Sequence, residues 1–345
     1  MSPNPEAAGL QPQQSVTSIN PFTERGRITI PEHFAGRWSE LSLIFERLEA
    51  GRPVLISGGP AIGKSSLLTH IVQSAAVNLE IPELRAYYLD LQGAESAAQI
   101  YATVASALGQ RGDTLAALEL GLVAAGDPVL LCLDNAQAAL AAGWGAGLLE
   151  SLARVARGAN LFLVVAMAGE PPLLSERFAA IRLGALAQTE VRLLTATYLD
   201  GTGVDFTAQE LREVAELSGA HPAYVQRAAY HLFQSKIDPL VDWRVAFRAE
   251  VHARPIAGAA LPPALFQGAD TQRLTQSSYT DGEGRRSGPE PQLLPLPEIS
   301  PLLDMAIALA SVVALFFLTG SWLFAGLAGI AALVGANLWL RQKRK

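Results

Sequence analysis

The chain has 345 residues, of which 50% are hydrophobic, and a formal net charge of −6. This hydrophobic share excludes a chain that is disordered throughout, and the acidic balance argues against nucleic acid as a partner. The single cysteine, Cys132, excludes an internal disulfide, and its apolar neighbours indicate a core residue. Residues 1–19 are rich in Pro, Gln and Ser and lack the apolar run of a secretion signal, so we predict a disordered lead.

Helix-like and strand-like patterns alternate along residues 20–190. Residues 36–50 carry apolar side chains at helical spacing, which predicts an amphipathic helix. Short apolar runs predict buried strands at residues 53–57, 86–91, 129–134 and 161–166. Strands that alternate with helices predict an α/β fold, in which a parallel sheet has helices on both faces. Right-handed crossovers bring the carboxyl ends of such strands to one edge, which here holds Ser57, Asp90, Asp134 and Ala166.

The most specific motif lies between the first strand and the next helical pattern. It is the run Gly58-Gly59-Pro60-Ala61-Ile62-Gly63-Lys64-Ser65, followed by Ser66, and it fits G-x-x-x-x-G-K-[ST] in full. The glycines let the backbone wrap round a triphosphate, while successive N–H groups and the helix N-terminus supply partial positive charge. The motif predicts that Lys64 reaches the β- and γ-phosphates of ATP and that the Ser65 hydroxyl holds Mg²⁺.

A second motif follows about seventy residues later. Residues 129–133 are consecutively apolar, and Asp134 stands where this strand leaves the sheet. A carboxylate at that place has the form of a Walker B motif, which completes a magnesium site together with the P-loop hydroxyl. We therefore predict that Ser65 and Asp134 hold Mg²⁺ on opposite sides.

The group that activates water is less clearly marked. Asn135 follows the strand carboxylate, and an amide cannot accept a proton as a carboxylate does. Hydrolysis is therefore expected to be slow, unless Asp90 or Glu170, each at the end of a neighbouring strand, serves instead. Asn135 can still position a water by hydrogen bonding. The next strand ends in Ala166 and Met167, which have no polar group to offer to a γ-phosphate.

These segments resemble a known class of proteins. The stretch from residue 20 to residue 37, together with the P-loop, resembles the opening of the AAA-like and STAND-type P-loop ATPases, including the archaeal ATPase and origin-recognition-like group. Residues 181–186 look like the strand that precedes the lid in that class. Residues 218–226, Ser-Gly-Ala-His-Pro-Ala-Tyr-Val-Gln, resemble its Gly-His-Pro lid helix. The likeness covers residues 20–250.

The resemblance implies further roles for individual residues. In such proteins the turn after the lead and the proline of the lid frame the nucleotide base, which maps here onto Phe34, Gly36, Arg37 and Pro222. The resemblance also implies a P-loop ATPase core over residues 20–190, a small helical lid domain over 191–252, and ATP as the ligand.

The C-terminal quarter of the chain, from residue 253 onward, changes character. Residues 253–301 are rich in Pro, Gly, Gln, Ser and charge, which predicts a disordered tether. Residues 302–319 and 321–340 are almost wholly apolar, and together they are too long for one span of a core about 30 Å thick. We predict a two-helix transmembrane hairpin in a lipid bilayer. The basic tail, residues 341–345, predicts that the C-terminus faces the cytoplasm.

The sequence thus predicts a membrane-anchored P-loop ATPase that faces the cytosol of a prokaryote, with both termini inside. Its expected action is that of an ATP-dependent conformational switch or signalling module with slow hydrolysis. An unidentified protein partner or self-association would receive the signal. Two alternatives stay open: a nucleotide-dependent scaffold that does not hydrolyse ATP, and a membrane-tethered ATPase associated with DNA.

Overall fold

Five parallel strands form the centre of the α/β part of the molecule. The computed structural model describes residues 19–158, 160–169 and 177–265. Its strands are β1 (Val54–Gly58), β2 (Arg85–Asp90), β3 (Val129–Asp134), β4 (Leu161–Ala168) and β5 (Ala179–Leu183). They lie in the order β2-β3-β4-β1-β5, and every neighbouring pair is parallel. The predicted parallel sheet is confirmed, and β1, which leads into the P-loop, is flanked on both sides.

Helices cover both faces of this sheet, as the alternating pattern predicts. One face carries α1 (Trp38–Glu49) and α2 (Lys64–Asn78); the other carries α3 (Ala97–Ala107), α4 (Leu115–Ala125), α5 (Ala136–Ala141) and α6 (Gly145–Gly158). Successive residues of β3 alternate between the two cores. Cys132 and Leu130 pack toward α1 and α2, whereas Leu131 and Leu133 pack toward the other four helices. Cys132 is completely buried, in agreement with the expected core position.

Two strands, β4 and β5, differ from the predicted limits by more than one residue. β4 continues two residues beyond residue 166, because Met167 and Ala168 pair with Ser57 and Gly58 of β1. The strand predicted over residues 181–186 instead spans Ala179–Leu183. It ends early because the carbonyl of Gly184 leaves the sheet and accepts a hydrogen bond from the Arg37 guanidinium at 2.6 Å.

The residues after β5 form four helices: α7 (Gln188–Leu199), α8 (Ala208–Leu217), α9 (Pro222–Ile237) and α10 (Trp243–Ala253). The last of these helices, α10, begins at Trp243. Asp242 is the reason, because its side chain accepts hydrogen bonds from the backbone N–H groups of Arg244 and Val245 and so caps the helix. These helices share a separate apolar core that includes Tyr224, Phe233 and Phe247.

The segment before α1 bridges the two cores. Phe22 is completely buried in the core of α7–α10. The Asn20 side chain donates to the carbonyl of Tyr230 on α9, at 2.9 Å. Further along, the backbone N–H of Ile28 donates to the hydroxyl of Ser66 on α2, at 3.0 Å. The N-terminal segment therefore packs against both the P-loop helix and the helical part.

The predicted membrane hairpin is not covered by these residues. Among the residues that the structure describes, no helix is long and apolar enough to cross a membrane. The predicted spans at 302–319 and 321–340 and the basic tail lie outside the described residues, as do most of the lead and most of the tether. The domain limits proposed from the sequence remain predictions.

Candidate functional site

The P-loop motif has the strand–loop–helix context that its chemistry requires. β1 ends at Gly58 and α2 begins at Lys64, so the loop lies at the carboxyl edge of the sheet and at a helix N-terminus. Ala61 and Gly63 have φ values of 51° and 98°, in the left-handed region. Left-handed residues in a turn are typical of the backbone concavities in which successive N–H groups bind an anion.

Lys64 lies across its own loop. Its Nζ donates to the carbonyl of Gly58 at 3.0 Å and to that of Gly59 at 2.7 Å. Burial lowers the pKa of Lys64 below its ordinary value, and the negative charge of Asp134 opposes that shift. The ammonium and the Asp134 carboxylate are thus close enough to interact at the edge of the sheet.

A cleft of about 590 Å³ opens beside the loop. Its walls come from the P-loop, the N-terminal segment, the loop after β3 and the start of α9. The predicted site residues that line it are Pro60, Ala61, Ile62, Gly63, Lys64, Ser65, Ser66, Phe34, Arg37, Asn135 and Pro222. The structure therefore gathers residues that lie more than 180 positions apart in the sequence around one space large enough for a nucleotide.

Asp134 lies behind the lining of this cleft. It is 1% exposed, and its Oδ2 accepts a hydrogen bond of 2.6 Å from the Tyr88 hydroxyl on β2. Its Oδ1 accepts from the backbone N–H of Asn135 at 2.8 Å. Burial, together with this contact to Asp134, raises the pKa of Tyr88. The phenol therefore stays protonated and keeps donating to the carboxylate.

The residues present fit a magnesium ion. Mg²⁺ is usually held by one or two protein oxygens, with the remaining ligands supplied by phosphates and water. Ser65 lines the cleft, and the Asp134 carboxylate acts electrostatically on the neighbouring Lys64. Among the described residues, no group of three or more His, Cys, Asp or Glu side chains forms a metal site by itself. Ser65 and Asp134 would accordingly hold the ion only together with a bound nucleotide.

The ends of β2 and β3 and the first turn of α5 carry a connected set of polar side chains, which we call the strand-end cluster: Asp90, Asp134, Asn135 and Gln137. The Asn135 side chain donates from Nδ2 to Asp90 Oδ1 at 2.9 Å and accepts at Oδ1 from Gln137 Nε2 at 3.2 Å. Gln137 Oε1 accepts from the backbone N–H of Ala168 on β4 at 2.9 Å. Asp90, one of the two candidate bases in the sequence, is therefore bonded to the amide of Asn135, the residue expected to position a water.

At the end of β4 the sequence predicted two apolar residues, Ala166 and Met167, and a candidate base, Glu170. Ala166 is completely buried in β4 and Met167 is 5% exposed, so neither presents a polar group to the cleft. Glu170, the other candidate base, lies outside the described residues. Gln137 was not recognised from the sequence as part of the site, since it stands on a short helix that has no motif of its own.

The turn before α1, which was expected to frame the nucleotide base, is fixed by close contacts of its residues with the rest of the molecule. Gly36 has a φ of 84°, and a Cβ there would come within 3.1 Å of Glu190 Oε1. Arg37 is 5% exposed, and its guanidinium bonds to Glu40 at 2.8 Å and to the carbonyls of Ile62 and Gly184. Arg37 thus joins the P-loop to the end of β5. Phe34 stacks on His70, with ring centroids 4.3 Å apart.

The start of α9 contacts the P-loop directly. His221 Nε2 is 3.0 Å from the carbonyl oxygen of Pro60, and Pro222 lines the cleft. Burial lowers the pKa of His221, which favours a neutral ring that donates from Nε2 to this carbonyl. The segment after α10 also reaches the loop, because a Cβ at Gly258 would lie 3.2 Å from Pro60 Cγ.

Three arginines that the sequence patterns did not single out line the same cleft: Arg25, Arg27 and Arg227. The Arg27 guanidinium lies 4.4 Å from the centre of the Tyr88 ring. Arg25 and Arg227 both lie 3.7 Å from the same carboxylate oxygen of Glu250. Two of the three belong to an irregular segment, where no periodic pattern indicates burial or direction.

Comparison with known proteins gives a structural likeness only. No family model and no curated protein matches the chain. The ORC2 protein of Aeropyrum pernix, solved in complexes with ADPNP and ADP, matches with a TM-score of 0.51 and 15% identity over 66% of this chain and 70% of that one. A Walker-type ATPase of Pyrococcus abyssi matches with a TM-score of 0.51 and 14% identity, over 75% and 80% of the two chains.

The fold is that of a P-loop ATPase. The P-loop, the parallel sheet and these likenesses confirm at the level of the fold the resemblance to the archaeal origin-recognition-like group. The ORC1 protein of A. pernix, solved in complex with DNA, has a TM-score of 0.45 and 17% identity over 70% of this chain and 66% of that one.

Proposed function

We propose that the chain is an ATP-dependent switch that binds ATP with Mg²⁺ and hydrolyses it slowly. One observation carries the proposal: a complete P-loop lies between β1 and α2, with its lysine beside the cleft of about 590 Å³. The lysine, the loop N–H groups and the helix N-terminus give this wall of the cleft a positive character suited to a triphosphate.

The proposed switch follows from the two sides of the cleft. The P-loop belongs to the α/β part, whereas Pro222, Gln226 and Arg227 belong to α9 of the helical part. A nucleotide in the cleft would contact both. Its binding would therefore favour the arrangement in which α9 rests on the loop, and its loss would weaken that arrangement. A partner protein or a second copy would read the difference.

Chemically, the chain's own residues suffice to bind and orient a nucleotide. Lys64 would neutralise charge on the β- and γ-phosphates, while Ser65 and Asp134 would hold Mg²⁺, which supplies charge stabilisation when bound. The residue that would lie next to the attacking water, Asn135, is poorly suited to activate it. Asn135 can orient a water but cannot take its proton, and its amide is bonded to Asp90. This contact favours a second candidate function, a scaffold that binds ATP without turnover.

Nucleotide affinity and phosphate release of the full-length chain test this proposal. Wild type should bind ATP, and Lys64→Ala should lose both affinity and phosphate release. Lys236→Ala is the matched control, because Lys236 pairs with Glu210 on the helical part at 2.7 Å and does not line the cleft. ATP binding without phosphate release would support the second candidate function, the scaffold that does not hydrolyse ATP. Absence of ATP binding by wild type would overturn both functions.

We also propose that residues 302–340 anchor this module to a lipid bilayer with the ATPase part in the cytosol. Support comes from the sequence alone: two long apolar runs and the basic tail at 341–345. Full-length protein should co-float with lipid vesicles, whereas a chain ending at residue 301 should remain in the dense fraction. Flotation of both would refute the anchor.

The remaining alternative is an ATPase associated with DNA. It is tested by adding DNA to the full-length protein, since a protein that binds DNA would shift the DNA band in a salt-dependent manner.

A further inference from the structure

Gln137 occupies the place at the end of β4 that the strand itself leaves without a polar side chain. The residues of β4 near its end, Ala166 and Met167, are apolar and buried. Gln137 reaches this strand from α5, because its Oε1 accepts the backbone N–H of Ala168 at 2.9 Å. Both Gln137 and Ala168 line the cleft. The helix thus supplies a polar group to the strand end.

Gln137 is linked to the phosphate-binding lysine through the backbone of Ala168, Gly169 and Gly58. Ala168 pairs with Gly58, and the backbone N–H of the next residue, Gly169, donates to the Gly58 carbonyl at 3.3 Å. Lys64 Nζ donates to this same carbonyl at 3.0 Å. The Gly58 carbonyl therefore joins the end of β4 to the ammonium that would meet the β- and γ-phosphates.

The hydrogen bonds of Gln137 run in one direction. Ala168 N–H donates to Gln137, Gln137 donates to Asn135, and Asn135 donates to the Asp90 carboxylate. Such a chain polarises each amide in the same sense, so that its N–H groups become better donors. A glutamine amide carries two N–H groups, of which one is donated to Asn135. No described residue accepts the second, which is therefore available to an anion in the cleft.

We infer that Gln137 contacts the γ-phosphate through its second Nε2–H and so makes the site distinguish ATP from ADP. This inference rests on the proposed nucleotide site and adds a recognition residue to it. The contact exists only with a triphosphate, because a diphosphate ends at the β-phosphate, which the P-loop backbone already surrounds. Asp90 and Asn135 act as positioning residues that hold the amide of Gln137 in this direction.

The test compares two ligands on the full-length chain, a non-hydrolysable ATP analogue and ADP, by equilibrium binding in the presence of Mg²⁺. Gln137→Met keeps the length of the side chain but removes the donor, and Gln137→Glu places a negative charge beside the phosphate. A hydrogen bond to a charged group predicts that affinity for the analogue falls about tenfold or more in both variants. Affinity for ADP should change by less than about threefold, which is within the range of a surface substitution. Gln99→Met, on the exposed side of α3, is the matched control.

The outcomes separate this inference from the proposed function. Wild type that binds both ligands, with an unchanged ratio of affinities in both Gln137 variants, would overturn the γ-phosphate contact and leave the nucleotide site intact. An equal loss for both ligands would also overturn it, because Gln137 would then only support the loop. Circular dichroism melts identify a variant that fails to fold. Wild type that binds neither ligand would refute the proposed function itself.

Discussion

The two walls of the cleft are built in different ways. The P-loop wall presents mainly backbone groups, and its shape depends on positions such as Gly58 and Gly63. The opposite wall, the strand-end cluster, presents side chains from the ends of β2 and β3 and from α5, which hydrogen bond to one another and to the backbone of β4. A wall of backbone tolerates many side-chain changes but no added Cβ at its tight points, whereas a wall of side chains depends on the identity of each residue.

The largest effect should come from the one charged side chain of the P-loop wall. Lys64→Ala removes an ammonium that would bond to phosphate oxygens, and such a charged contact is worth about 1.5–3 kcal/mol. ATP affinity should fall roughly 10- to 150-fold, as measured by isothermal titration calorimetry. Asn135→Ala in the opposite wall should weaken ATP less. An equal loss in both variants would show that the two walls contribute alike.

Backbone shape can be tested with two adjacent glycines. A Cβ at Gly58 would lie 2.9 Å from the carbonyl oxygen of Leu183 and 3.0 Å from Ile62 Cγ2, whereas a Cβ at Gly59 would meet no atom of the described residues within 4 Å. Gly58→Ala should lower the free energy of unfolding by about 1–3 kcal/mol, because the core around it must shift. Gly59→Ala is the matched control, and its free energy of unfolding in the same denaturant titration should equal that of wild type. Similar losses for both would contradict the packing described.

The buried carboxylate of the opposite wall depends on a phenol. Tyr88→Phe leaves Asp134 Oδ2 without its 2.6 Å donor, and an unsatisfied buried acceptor costs about 1–3 kcal/mol of unfolding free energy. Tyr87→Phe on the same strand is the control, since within the described part of the chain its hydroxyl makes a single long, exposed contact, of 3.4 Å with the carbonyl of Ala107. Urea titrations of the two variants should therefore differ. A stable Tyr88→Phe variant would mean that Asp134 is held by other groups.

The interplay inside the strand-end cluster predicts how a carboxylate at residue 135 behaves. In Asn135→Glu the new carboxylate lies beside that of Asp90. Repulsion between the two negative charges raises the pKa of one of these two carboxyl groups. Phosphate release by this variant should therefore rise only toward higher pH. Adding Asp90→Asn removes the repulsion and should shift that rise to lower pH. Identical pH profiles for the single and double variants would rule out the interaction.

The smallest effect concerns the contact of α9 with the P-loop wall. Burial lowers the pKa of both His221 and His70, so the unfolded chain binds protons more readily than the folded one. The neutral rings contribute their full stability above the histidine pKa of the unfolded chain, which is about 6.5. This contribution is lost as the pH falls below that pKa. His221→Gln should make this loss shallower, as measured by unfolding at pH 5 and pH 7.5. An unchanged slope would assign the pH dependence to other groups.

The sequence predicted the P-loop wall better than the opposite one. A loop that works through its backbone needs glycine at fixed spacing and a lysine beside the helix start, so Gly58 to Ser65 could be read directly. Asp134 was recognisable because it ends an apolar strand. Gln137 and Tyr88 were not, because their roles depend on which strands become neighbours. Arg25 and Arg27 reach the cleft from an irregular segment without a repeating pattern, and Arg227 reaches it from α9, which packs beside the P-loop only in the tertiary structure.

The sequence by itself determined the elements, the parallel sheet with helices on both faces and the phosphate-binding loop, because hydrophobic periodicity and glycine spacing are local properties. Only the tertiary structure decided that Asn135 bonds to Asp90, that Gln137 reaches β4 and that His221 of α9 rests on Pro60. Those contacts join residues 31 to 161 positions apart, so they exist only once the strands and helices have packed.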